Sequence, residues 1–184
     1  QLDLPADRPR PAVQSYSGAT VDFSIDPELH RELVALARTR NASLFMVVHA
    51  ALSVLLARMS GQDDIAIGTP VAGRGHRHLD ELIGMFVNTV VLRTRVDDAE
   101  PFAALLQRVR DGDLAAFDHA DIPFERLVEV LDPPRSTAYS PLFQVMLEFQ
   151  DTERPEVVLP DLTVAVLDLA APLSLFDLQL SVAE

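Results

Sequence analysis

The sequence predicts an α/β (α+β) two-layer sandwich, with helices packed on a mixed, largely antiparallel sheet, and three observations lead there. The 184 residues are 48% hydrophobic, enough for one core and too few for two ordinary domains. Segments with apolar residues at helical spacing alternate with short β-rich runs. Three further strand candidates crowd the end of the chain, bounded by proline-rich connectors.

Residues 1–16 hold Pro5, Pro9 and Pro11 and little apolar periodicity, as expected of an extended connector arriving from something upstream. Val21 to Ile25 alternates apolar and polar residues and predicts a short strand. Asp26-Pro27 then supplies an N-cap and a first-turn proline for a helix to about Arg40, with Leu29, Leu33, Leu36 and Ala37 on one face. Asn41 or Ser43 caps a second helix, apolar on nearly all sides, which runs to about Met59 and is stopped by Gly61. Ile65 to Val71 predicts a strand, Gly73 to His78 a turn-rich basic loop, Leu79 to Ile83 a short helix, and Phe86 to Val96 a second strand. Glu100 to Phe117 has helical spacing interrupted locally by Gly112, and Asp121 with Pro123 opens a helix over Phe124 to Leu131. The last strand candidates are Leu142 to Phe149, Leu162 to Leu169 and Leu175 to Val182, the first two separated by a connector over Gln150 to Pro160.

Composition narrows the partners. Fifteen basic against 28 acidic residues give a formal charge of −13, which repels a phosphate backbone and leaves no polybasic tract for anionic lipid. Nucleic acid and membrane are therefore not expected partners. The basic residues are all arginine and there is no cysteine, so Schiff-base, thiolate and disulfide chemistry are out of reach. The N-terminal residues carry no apolar leader, and the longest apolar stretch, Leu44 to Ala57, is shorter than the roughly 20 residues of a membrane span. A cytoplasmic location is expected.

A search for chemistry finds little. There is no G-x-S-x-G elbow, and Gly73-Arg74-Gly75 lacks the third glycine of a dinucleotide loop. His76 and His78, two apart in a loop, are a poor metal pair, and no metal is expected. His49, on the apolar helix, reads as a core histidine with a hydrogen-bond partner. For His119 and the residues after it a structural account suffices: Asp121 accepts amide hydrogen bonds, Pro123 presets φ, and Phe124, Leu127 and Val128 face the core.

Three segments taken together resemble one family. Ile83-Gly84-Met85-Phe86-Val87-Asn88-Thr89, with Arg93 four residues on, is similar to the I-G-x-F-V-N-T…R segment of nonribosomal peptide synthetase condensation domains. His119-Ala120-Asp121-Ile122-Pro123-Phe124-Glu125-Arg126-Leu127-Val128 resembles their H-Q-D-x-P-F-E-x-L-V, with Ala120 in place of the usual glutamine. Ser140-Pro141-Leu142-Phe143-Gln144-Val145-Met146 resembles their S/N-P-L-F-Q-V-M. Leu4 to Pro11 looks like the connector between the family's two lobes, and Phe176-Asp177-Leu178 like a late strand.

The resemblance implies a fold like chloramphenicol acetyltransferase, built as two lobes. It implies that residues 1–16 are the inter-lobe connector and 17–184 the C-terminal lobe, shortened at its far end. The family forms a peptide bond between a carrier-bound acyl or peptidyl donor and a carrier-bound aminoacyl acceptor. Its H-H-x-x-x-D-G motif belongs to the other lobe, and no two histidines are adjacent here, so no catalytic residue is carried over. Gly84, Phe86, Asn88, Thr89, Arg93, His119, Asp121, Pro123, Phe124, Glu125, Ser140, Pro141, Phe143 and Gln144 are expected to be structural or to line a tunnel wall. Such a wall works by positioning the reactants.

The implied partners are the N-terminal lobe, peptidyl carrier proteins and an adjacent adenylation domain. No cofactor is bound directly; phosphopantetheine arms arrive on the carriers. An acidic chain meeting acidic carriers needs a local cation cluster, and Arg74, His76, Arg77 and His78 form the densest one, a candidate carrier or inter-lobe loop. An epimerization-domain lobe and a catalytically silent recruitment platform share the same framework and stand as alternatives.

Overall fold

The computed structural model describes residues 1–75, 77–79, 81–150, 162 and 173–183. Among these, helices α1 (Pro27–Thr39), α2 (Leu44–Ser60), α3 (Phe102–Phe117) and α4 (Phe124–Leu131) accompany strands β1 (Asp64–Val71), β2 (Asn88–Arg95), β3 (Val145–Gln150) and β4 (Leu178–Ala183). The two early helices follow local signals. Asp26 caps α1 through the Glu28 N–H at 2.7 Å. Ser43 caps α2 through the Met46 N–H at 3.2 Å. Gly61 closes α2 in the left-handed region, at φ 69°, where a side chain would be strained.

The sheet runs β2-β1-β3-β4. It is mixed, as expected, but its pairings correct the largely antiparallel expectation. β1 and β2 are antiparallel, whereas β1·β3 and β3·β4 are parallel. Parallel neighbours need long crossovers, and the connections supply them: β2, α3 and α4 lie between β1 and β3, and residues 151–177 between β3 and β4.

One apolar cluster lies between α2 and the sheet, with Leu52, Leu56, Ile65, Ile67, Val145 and Leu147 at its centre. A second fills the junction of α1, α2 and α3 around Val47, Ala50, Leu105, Leu106 and Val109. His49 sits in this interior, fully buried. Its Nδ1 lies 3.0 Å from the Asp113 carboxylate of α3, and its Nε2 3.4 Å from Thr94 Oγ1 of β2. The lone histidine is thus a polar tie inside the core, joining three elements.

Three local expectations differ from the structure. Val21 to Ile25 forms no strand among the described residues, and Val21 and Phe23 stand exposed; alternation makes a strand only where a neighbour offers hydrogen bonds. The short helix expected over Leu79 to Ile83 is a 3₁₀ turn at Arg77–Leu79. Gly112 does not interrupt α3, because one helical glycine costs only about 1 kcal/mol against the buried Leu105, Leu106 and Val109. The strand expected over Leu162 to Leu169 beyond Leu162 itself, the connector over Gln150 to Pro160 beyond Gln150 itself, and His76 lie outside the described residues.

Candidate functional site

The three motif segments meet at one end of the sheet. Asn88 opens β2 opposite Val71 of β1. Its Nδ2 donates to the Ala120 carbonyl at 2.9 Å and the Ile122 carbonyl at 2.7 Å, while its Oδ1 accepts the Phe124 N–H at 3.1 Å. Both halves of the amide are used, which fixes its orientation. Helix α4 has Pro123 at its N-cap and no side-chain cap of its own. Asn88 therefore caps it from the neighbouring strand, and the cap expected of Asp121 is not made; Asp121 is exposed.

Below this clamp lies an aromatic junction. Phe143 is 2% exposed. Its ring meets Phe124 edge-on at 5.6 Å between centroids and Phe176 at 5.2 Å, separations at which aromatic pairs attract beyond their buried area. Gly68 of β1 passes directly over this ring, and a Cβ there would fall among its atoms. A tight turn aims Phe143: Leu142 has φ 66° and the Phe143 N–H returns to the Pro141 carbonyl at 2.8 Å. Ser140 and Pro141, both half-buried, lead into that turn. Gln144, 4% exposed, accepts the Leu2 N–H at 2.7 Å and donates to the Ser140 carbonyl at 3.0 Å. Its own carbonyl accepts the Asp177 N–H at 3.0 Å.

Arg93 forks onto Asp64 of β1 at 2.8 and 2.6 Å. That hydrogen bond holds the Asp64 carboxyl below its ordinary value, and Asp64 in turn raises Arg93. Thr89 is half-buried and sits opposite Pro70 in the β1–β2 ladder.

The loop between β1 and β2 has a different character. Arg74 donates to the carbonyls of Leu79 and Leu82, the latter at 2.9 Å, and its guanidinium lies 4.4 Å over the Phe86 ring. Gly73, at φ 65°, lets the Phe86 carbonyl approach where a side chain would stand. Pinned from inside, the loop turns Leu82, Ile83, Met85 and Val87 outward, with Ile83 and Met85 essentially bare. Gly84 is exposed at this tip. Arg74 is thus engaged by its own loop, while Arg77 and His78 are exposed beside it.

His119, Asp121 and Glu125 are also exposed, and their side chains make no hydrogen bond or ion pair among the described residues. The site therefore has two kinds of member. Asn88, Phe124, Phe143 and Gln144 build it, while Arg93, paired with Asp64 toward the opposite end of the β1–β2 ladder, stands apart; Ile83, Met85, His119, Asp121 and Glu125 are presented by it. The residues brought together place no exposed nucleophile beside a base. Their chemistry is the holding of a surface in a set shape. Leu2, Arg10, Phe176 and Asp177 join this junction from the two ends of the chain; Arg10 lies in the connector segment and Phe176-Asp177 in the late-strand segment, but their meeting here is not displayed by the sequence.

This arrangement belongs to a known class. The condensation-domain family model matches residues 1–184. Over all 184 residues the chain is 48% identical to the dimodular nonribosomal peptide synthase of Bacillus subtilis (strain 168), of which it spans 8%. Among solved structures, it resembles an X-domain from teicoplanin biosynthesis over its whole length and 41% of that chain, at 29% identity and TM-score 0.93; an X-domain from that pathway has also been solved in complex with OxyB. A four-domain nonribosomal peptide synthetase bound to AMP and glycine matches 82% of this chain and 11% of its own, at 32% identity and TM-score 0.78. The chain belongs to the condensation-domain family, and the mixed sheet, four-stranded among the described residues, with its flanking helices has that family's chloramphenicol acetyltransferase-like fold.

Proposed function

We propose that this chain is the C-terminal lobe of a nonribosomal peptide synthetase condensation domain, with residues 1–16 as the inter-lobe connector and 17–184 as the lobe, and that it forms one wall of the tunnel where the peptide bond is made. In that reaction the amine of an aminoacyl acceptor attacks the thioester carbonyl of an acyl or peptidyl donor. A C–N bond forms, the C–S bond breaks, and the donor's phosphopantetheine thiol leaves with a proton. Both arms are delivered by peptidyl carrier proteins, so the lobe itself needs no cofactor, and it works in the cytoplasm beside an adenylation domain.

The observation that carries this reading is the junction of motif residues, which fixes a surface without supplying a base. A wall of this kind contributes by orientation, which can remove several kcal/mol of a bimolecular barrier. The outward loop, with Ile83, Met85 and Val87 at its tip and Arg77 and His78 at its side, fits a crossing to the partner lobe or the carrier. Arg74 serves the same purpose indirectly, by shaping the loop.

The test is intact-protein mass spectrometry of carrier-bound substrates. The chain alone is expected to give no dipeptide, and the two-lobed domain in its synthetase to give it. Product from the chain alone would overturn the assignment. Arg77→Ala with His78→Ala in the intact synthetase is expected to slow condensation, more at low salt than at moderate salt; an unchanged rate at both would remove the loop's docking role.

A second reading, a silent recruitment platform, is favoured by the full-length likeness to an X-domain solved in complex with another protein, OxyB. The coding sequence upstream separates the two: an intact H-H-x-x-x-D-G supports the enzyme and a degenerate one the platform. An epimerization lobe would instead racemise a carrier-bound residue, which the same mass-spectrometric assay in deuterated solvent detects.

A further inference from the structure

Residues 1–16 are fastened to the body along their length. Leu2, 6% exposed, joins the cluster beneath α2 while its N–H reaches Gln144. At the other end Thr137 Oγ1 donates to the Ala12 carbonyl at 2.9 Å, the Gln14 N–H to the Thr137 carbonyl at 2.8 Å, and Gln14 Nε2 to the Leu175 carbonyl at 2.9 Å. The Ser174 N–H then bonds the Tyr16 carbonyl at 3.0 Å. Between these anchors Arg10 forks onto both oxygens of Asp177, one at 2.8 Å, donates to the Ala138 carbonyl at 3.1 Å and lies 5.9 Å over the Tyr139 ring. Pro9 and Pro11 flank it and hold the backbone stiff. Asp177 immediately precedes β4, and its side chain is 19% exposed against 32% for Arg10, so solvent and salt screen the pair only partly. A two-pronged, charge-assisted pair of this kind is the strong form of the interaction.

We infer that Arg10 and Asp177 form a clasp that makes residues 2–16 a rigid mount continuous with the β4 edge, so that a lobe preceding Leu2 is held at a set angle and swings only when the clasp opens. The inference rests on the proposed reading that such a lobe precedes this chain. Both side chains are positioning residues: they touch no reactant and act through the width of the space between the lobes.

The experiment uses the intact two-lobed domain in its synthetase, as wild type, Arg10→Ala, Arg10→Lys, Asp177→Asn and the exchanged pair Arg10→Asp with Asp177→Arg. Deuterium exchange of peptides covering 12–16 and 173–183 reads the clasp. A spin-label distance from α3 at Gln107 to the upstream lobe reads the mount. Arg10→Ala and Asp177→Asn are expected to speed exchange in both peptides roughly tenfold, as for loss of a charge-assisted hydrogen-bond pair, with α2 and β1 unchanged, and to broaden the distance distribution. The exchanged pair restores both readouts, and Arg10→Lys, with one prong, restores them in part.

Unchanged exchange in Arg10→Ala and Asp177→Asn overturns the clasp, and an unbroadened distance in the same variants overturns the mount. Peptide formation by the wild type is a separate arm: its absence overturns the reading of the domain as a condensation enzyme, while exchange and distance still report on the clasp.

Discussion

The junction around Phe143 and the loop tip at Ile83 and Met85 carry equally recognisable motif residues, yet the fold uses them in opposite ways. Phe143 is enclosed by Phe124, Phe176 and Gly68, whereas Ile83 and Met85 stand bare on a loop braced from behind by Arg74. A motif can thus be divided: part of it makes the platform, and part is what the platform holds out. Mutations should separate the two, because platform residues govern stability and presented residues govern only what happens at the surface.

The largest effect is expected at the platform's centre. Phe143→Ala should lower unfolding free energy by about 3–5 kcal/mol, the cost of emptying an enclosed aromatic site, measured by urea denaturation. Gly68→Ala, which drives a methyl group into the same ring, should cost about 1–3 kcal/mol. A loss below about 1 kcal/mol for Phe143→Ala would erase the distinction between the regions.

Asn88→Asp sharpens the comparison at the point where the motifs are bolted together. The carboxylate keeps the acceptor for the Phe124 N–H but loses both donors and faces the Ala120 and Ile122 carbonyls. A cost of about 2 kcal/mol is expected, with faster amide exchange at the start of α4. Retention of full stability would mean that the cap alone, and not the bridge to residues 120–122, matters.

Asp64 gives a smaller, pH-dependent effect. Because Arg93 lowers its pKa, the native fold favours the ionised form. The stabilisation is complete above the ordinary carboxylate range and is lost as pH falls through the lowered value. Arg93 is 73% exposed, so the effect stays below about 1 kcal/mol. Asp64→Asn should flatten the acid limb of the stability curve, and an unaltered limb would count against the pair.

The least effect on stability is expected at the tip. Ile83→Ser with Met85→Ser should stay within about 0.5 kcal/mol of wild type while reducing peptide formation by the intact synthetase. A large loss of stability would place these residues with the platform instead.

Signals that act over a few residues were legible in the sequence. Asp26-Pro27, Ser43 and Gly61 mark helix ends through their own backbone neighbours, and α1 and α2 begin and stop within a residue or so of where they point. The motif segments were legible as a set, but their division into inward and outward members was not. Asn88 caps a helix that starts 36 residues later, and Arg10 meets Asp177 across 167 residues; no spacing rule reaches that far. Arg74 shows a different limit, a local one: its partners, the carbonyls of Leu79 and Leu82, are only five and eight residues away, but a guanidinium in a basic loop looks available for a partner until that loop is folded against it. The Val21 to Ile25 alternation misled for the converse reason: a strand pattern is local, but a strand needs a neighbour.

β2 lies outermost on its side of the described sheet, and an outermost strand offers free backbone groups to any extended segment that drifts past. Arg93 and Arg95 occupy alternate positions along it and remain largely in solvent. An incoming strand would have to strip water from two guanidinium groups to lie flat against it, which is costly. Arg93, which fastens β2 to β1 through Asp64, and Arg95 two residues on therefore also guard this edge against strand-by-strand aggregation.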